Sequence, residues 1–226
     1  MSFWFEFIGL SFTVGAEARN VSCSGAVDRG GVMLVRGPSG VGKSTLLRVL
    51  ARLQPGTGGD VRLGGRQWLT FAPTEWRTAV CYVAQQPALF EGTVMDNLRR
   101  PFQLAAVRKR ATYNGALVEQ GMVMLGLAPA LLEQDARLLS GGEAARVAVL
   151  RVMLTRPSVL LLDEPTAALD RVSAAGFCEL IRNWLADEPD RAAMIITHDE
   201  LVENFFPDPV LLELNAAGGH ARRRGE

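Results

Sequence analysis

Followed by its alternation of apolar and polar positions, the chain divides into three stretches. Residues 1–8 and 31–36 are apolar runs of strand length, and 43–53 then carries apolar residues at 46, 47, 49, 50 and 53, the spacing of one helix face. Residues 54–65 are dense in turn formers around a short strand, and 79–84 is a further strand, so the first third is mainly strands around one helix. Between 93 and 132 the pattern becomes helical, over 93–98 and 112–125, with breaks at Pro101, Gly126 and Pro129. After Ser140 a helix runs to about 155 and stops before Pro157; strand 159–162, helix 171–186, strand 193–196 and helix 199–205 follow. Strand and helix in alternation predict a parallel sheet covered on both faces. Residues 216–226 carry no core-facing pattern and read as a disordered tail.

Composition adds bounds. The 226 residues are 48% hydrophobic, enough for one globular unit with a packed core. Lys plus Arg number 24 against 24 Asp plus Glu, so no general attraction to nucleic acid or anionic lipid is expected. Cys23, Cys81 and Cys178 are odd in number and far apart, which fits reduced core thiols better than a disulfide framework or a zinc site. The apolar start contains Glu6, has no basic residue ahead of it and reads as a strand rather than a signal peptide. Elsewhere apolar runs are interrupted well short of the ~20 residues that span a bilayer.

Gly37-Pro38-Ser39-Gly40-Val41-Gly42-Lys43-Ser44-Thr45 lies between a predicted strand and a predicted helix. In that setting the glycines let backbone N–H groups turn toward phosphates at a helix N-terminus. Lys43 would reach the β- and γ-phosphates, and Ser44 would ligate Mg²⁺. Leu160-Leu161-Leu162-Asp163-Glu164 puts carboxylates at the C-terminal end of a buried strand, where open α/β sheets bind ligands. Asp163 would hold Mg²⁺ and Glu164 would polarise the attacking water; the simpler alternative is a pair that caps the strand end. Ser140 with Glu143 is by itself an ordinary capping box.

Together with Gln85, Leu139-Ser140-Gly141-Gly142-Glu143, Asp163-Glu164-Pro165-Thr166, Ala168-Leu169-Asp170 and His198, in this order, the loop resembles the nucleotide-binding subunit of ATP-binding cassette (ABC) transporters over nearly the whole chain. The resemblance implies an α/β P-loop NTPase with a RecA-like core, an N-terminal antiparallel β subdomain and a small helical insertion. It is a single cassette, with core 1–92 and 157–215, helical subdomain about 93–156 and flexible tail 216–226. It further implies that Ser140, Gly141, Gly142 and Glu143 meet the γ-phosphate of ATP held by a partner subunit. Gln85 would sense Mg²⁺ and water, with neighbouring Gln86 the competing assignment. His198 would touch the γ-phosphate and Asp170 would reach across the dimer. The expected ligands are ATP and Mg²⁺. The expected partners are a second ATP-binding subunit and an integral membrane permease, with the chain peripheral on the cytoplasmic face of the inner membrane.

Two details qualify the resemblance. The family stacks adenine on an aromatic residue about 23 positions before the first loop glycine; here that position is Val14, with Phe12 on the same strand face as a substitute. Residues 81–98, with Pro101-Phe102-Gln103, look like the coupling region of short bacterial ATPases assigned to iron export. The basic segment 99–110 lies in the insertion and is either a contact for the membrane partner or a solvated helix face. A soluble cassette ATPase of DNA repair, translation or cluster assembly is the alternative, but only 54 residues separate Gln85 from Ser140, too few for a long coiled coil.

Overall fold

The computed structural model describes residues 3–223. Strands β1 (Phe5–Val14), β2 (Arg19–Val27) and β3 (Val32–Arg36) lead to helix α1 (Lys43–Leu50). Then come β4 (Gly58–Leu63), the two-residue β5 (Arg66–Gln67), α2 (Pro73–Ala79) and β6 (Val80–Val83). A helical stretch holds α3 (Val94–Arg99), α4 (Ala105–Arg108), α5 (Gly115–Met124) and α6 (Gly141–Met153). Alternation follows in β7 (Val159–Asp163), α7 (Arg171–Asp187), β8 (Ala192–Ile196) and α8 (Glu200–Phe205), and the chain closes with β9 (Val210–Asn215) and β10 (Gly218–Arg223).

Among the described residues, ten strands join one sheet in the order β5-β4-β1-β2-β10-β9-β3-β8-β7-β6. From β9 to β6 the pairs are parallel, whereas β1 pairs antiparallel with β2 and with β4. The central strands β7 and β8 are buried at every position because both their faces are covered. Val159, Leu161, Met194 and Ile196 enter one core with α1 and β1, while Leu160, Leu162, Ala193 and Ile195 enter another with α5, α6 and α7. The expected antiparallel subdomain, parallel core and helical insertion are all present.

The structure corrects the reading of the tail. Residues 218–223 are not disordered but form β10, paired antiparallel with β9 from Gly218↔Asn215 to Arg223↔Val210 and parallel with β2 at Cys23 and Ser24. The remaining tail positions, 224–226, lie outside the described residues. Backbone ladder bonds hold this strand, so a run of Gly, His and Arg without apolar alternation still pairs. Helix α2 was also not read from the sequence. Its Trp76 is fully buried and donates its indole N–H to the Leu50 carbonyl at 2.8 Å.

Candidate nucleotide site

Parallel strands deliver their C-terminal ends to one edge. The loop 37–42 follows β3, Gln85 follows β6, Asp163 ends β7 and His198 lies two residues beyond β8. Sequence positions more than a hundred residues apart are thereby gathered along four neighbouring strands.

The loop is shaped by close backbone approaches. Gly37 has φ +146°, and a Cβ there would lie 2.1 Å from the Leu214 carbonyl oxygen of β9. Gly42, at φ +116°, caps α1 without any side-chain hydrogen bond. The first N–H groups of α1 therefore have neither an intrahelical acceptor nor a cap, the arrangement that suits an anion. The buried Lys43 donates from Nζ to the carbonyls of Gly37 at 2.7 Å and Pro38 at 3.1 Å, bringing its charge into the loop. Pro38, Ser39 and Gly40 are exposed, Val41 is buried, and Ser44 and Thr45 are half-buried on the first turn of α1.

The Ser44 hydroxyl donates to Asp163 Oδ1 at 3.1 Å, tying α1 to the end of β7. The other carboxylate oxygen accepts from the Tyr82 hydroxyl of β6 at 2.8 Å. Burial, then the hydrogen bond and charge of Asp163, push the Tyr82 phenol up in pKa. Beyond Asp163 the chain turns sharply: Glu164 has φ +46°, uncommon for a residue with a side chain. Its N–H bonds the Ile196 carbonyl of β8 at 3.0 Å. Its carboxylate accepts from Gln85 Nε2 at 2.8 Å, so Gln85 rather than Gln86 meets the acid. The two acids thus have different partners: Asp163 is tied to Ser44 and Tyr82, Glu164 to Gln85. His198 is exposed, and neighbouring Asp199 accepts from the Thr166 hydroxyl at 3.3 Å, linking the segments after β7 and β8.

The second glycine-rich helix start is separate. Among the described residues no hydrogen bond joins Ser140–Glu143 to the loop; Ser140 instead caps α6 in a reciprocal box. Glu143 accepts from the Ser140 N–H at 2.8 Å and hydroxyl at 2.7 Å, and these bonds hold its pKa below the ordinary value. Gly142 packs against the Ala168 carbonyl, 3.0 Å from where a Cβ would lie. Asp170 caps α7 by accepting from the N–H groups of Val172 and Ser173, both at 2.9 Å. It also accepts from the Ser173 hydroxyl at 2.8 Å, and Arg146 of α6 donates to that same hydroxyl at 2.6 Å.

Two residues of the site carry no local sequence signal, and a third overturns an expectation. Tyr82 reads in sequence only as a strand residue, and its partner is 81 positions away. Arg19, at the start of β2, donates to the loop carbonyls of Val41 at 3.0 Å and Gly40 at 3.4 Å. Phe12, the candidate substitute for adenine stacking, has no exposed surface and cannot carry a base. The three cysteines are free, and burial raises each thiol to about 12.

The donor set fits a hard divalent cation that keeps phosphate and water ligands: one hydroxyl and one carboxylate converge, and no cluster of three or more His, Cys, Asp or Glu able to hold a metal occurs among the described residues.

Comparison with known proteins agrees with this geometry. The ABC transporter family matches residues 21–167. The probable iron export ATP-binding protein FetA of Escherichia coli K12 is 37% identical over 183 residues, covering 81% of this chain and 79% of its own. Protein STAR1 of Oryza sativa subsp. japonica is 43% identical over 170 residues, covering 74% of this chain, which spans only 48% of STAR1. Among solved structures, the ATP-binding cassette MJ0796, a dimer bound to ADP and Pi, is similar with a TM-score of 0.81 at 22% identity, over 98% of this chain and 100% of its own, a likeness of fold. With the phosphate loop, the acid pair and these relatives in agreement, the chain belongs to the ABC transporter family and is one of its ATP-hydrolysing cassettes.

Proposed function

We propose that this cassette drives transport through a separate integral membrane permease, working as a pair with a second ATP-binding subunit on the cytoplasmic face of the inner membrane. The observation that carries the reading is the pairing of Ser44 with Asp163 and of Gln85 with Glu164 along one sheet edge beside the phosphate loop. Lys43 and the N-terminus of α1 hold the phosphates. Mg²⁺, held by Ser44 and Asp163, would offset charge developing on the phosphates. Glu164 orients and polarises the attacking water, and Gln85 fixes the Glu164 carboxylate and reports its state toward the helical stretch. His198 contacts the terminal phosphate. Ser140, Gly141, Gly142 and Glu143 face the nucleotide of the partner subunit, and Asp170 crosses the interface.

No helix among the described residues is long and apolar enough to cross a membrane; in this reading the spanning helices belong to the permease. A groove of about 980 Å³ lined in part by Arg77, Leu104, Val107, Lys109 and Thr155 supports docking of that subunit against the basic segment. Similarity to the iron-export relative supports a metal ion as cargo. The test is capture of tagged Glu164→Gln protein with ATP from detergent-solubilised host membranes. A polytopic membrane protein among the partners is expected, whereas nucleic-acid or ribosomal partners alone would overturn the transport reading.

A further inference from the structure

The phosphate loop has two flanks, and only one is equipped for cleavage. Toward β8, β7 and β6 stand Ser44, Asp163, Tyr82, Gln85 and Glu164. The terminal phosphate of a nucleotide in the loop must face that side, so the nucleoside points away from it, toward the β1–β2 hairpin on the opposite side of β3. A base gains affinity when a planar group stacks on it. The hairpin offers no ring for this: Phe12 is fully buried, and Val14 packs on Gly42, its γ-carbon 2.7 Å from where a Gly42 Cβ would lie.

Directly across the ladder from Val14 stands Arg19. It is exposed, and its guanidinium is anchored by one nitrogen to the Val41 and Gly40 carbonyls. A guanidinium is planar, always charged and able to stack on π faces. Anchored at an edge to the loop backbone, Arg19 loses less freedom on meeting a base than an untethered side chain would. We infer that Arg19 is the side chain on which the base of the bound nucleotide rests. Lys43 and the α1 N-terminus serve the phosphates; Arg19 serves the nucleoside. The inference rests on the loop being the ATP site.

The test compares two probes, Mg–ATP and Mg–tripolyphosphate, by titration calorimetry on wild type, Arg19→Ala and Arg19→Lys. Arg19→Ala should weaken ATP about tenfold, the scale of one stacking contact, and leave tripolyphosphate affinity unchanged. Arg19→Lys, which keeps the charge and loses the plane, should recover little of the loss. Retained tripolyphosphate binding also shows that the variant loop is folded. Equal losses for both probes would assign Arg19 to the phosphates or to loop shape and overturn the inference, as would an undiminished ATP affinity or full recovery with Lys. Wild-type protein that binds neither probe would instead contradict the ATP-site reading itself.

Discussion

Helices α1 and α6 both open on glycine-rich turns, yet their first turns are finished in opposite ways. The cap of α1 is Gly42 in a left-handed conformation with no side-chain bond, so its leading N–H groups stay available, and Lys43 adds a cation. The cap of α6 is Ser140 at φ −62°, locked to Glu143 by bonds in both directions. Its first turn is partly satisfied from within and carries an anion instead of a cation. A helix start of the first kind suits an anion; one of the second kind has its leading donors partly satisfied without one. That difference is what a cassette needs if α1 holds its own nucleotide throughout the cycle and α6 meets a partner's nucleotide only when two chains come together.

The strongest way to break this comparison is to place alanine at matching glycines. Gly42→Ala combines a φ of +116° with a Cβ 2.7 Å from Val14, and should cost about 2 kcal/mol or more of stability and remove ATP binding. Gly141 has open space around it, and Gly141→Ala should stay within about 0.5 kcal/mol of wild type in denaturant unfolding. Equal destabilisation at both sites would show that the two starts are not differently built.

A smaller effect is expected on the α1 side from Tyr82→Phe. It leaves one oxygen of a buried Asp163 without its donor, and should raise the half-saturating Mg²⁺ concentration for nucleotide binding about fivefold, the equivalent of ~1 kcal/mol. Binding titrations with Mg²⁺ varied at fixed nucleotide would detect it, and an unchanged requirement would remove Tyr82 from the support of Asp163.

The smallest effect lies in the pH dependence of α6. The pKa of Glu143 is held below its ordinary value by the Ser140 hydroxyl and N–H. A carboxylate whose folded pKa is lower than its unfolded one adds stability above the unfolded value and loses it as pH falls through the folded one. Glu143→Gln should therefore melt below wild type at neutral pH and converge on it as pH falls below about 4.5, which flattens the acid side of its melting-temperature profile. An acid limb identical to wild type would place the sensitivity elsewhere, for instance at Asp96 or Asp170, whose hydrogen bonds also lower their pKa values.

The same contrast explains what the sequence could disclose. Features made by near neighbours were legible: the loop, the acids at the end of β7, and the Ser140–Glu143 box, whose parts lie within a few positions of each other. Long apolar runs on parallel strands announced the doubly covered sheet. What stayed hidden depends on distant partners or on backbone alone. Strand β10 is defined by ladder bonds rather than by side-chain alternation, so a polar, glycine-rich segment looked like a loose end. Tyr82 and Arg19 have ordinary surroundings in sequence and acquire meaning only when β6 is laid beside β7 and the β1–β2 hairpin beside the loop. Phe12 illustrates the reverse error: strand parity put it on the appropriate face, but parity says nothing about depth, and the core has covered it completely.

We propose that α6 serves a nucleotide held by another chain, and molar mass in solution tests this most directly. Glu164→Gln protein should convert from monomer to dimer on addition of ATP, as measured by light scattering on a sizing column. Adding Ser140→Arg should keep it monomeric while nucleotide affinity, titrated for both proteins at concentrations too dilute for dimerisation, remains that of Glu164→Gln alone. A loss of ATP affinity in the monomer would place Ser140 in the chain's own site and contradict the account, as would an ATP-bound dimer that Ser140→Arg leaves intact.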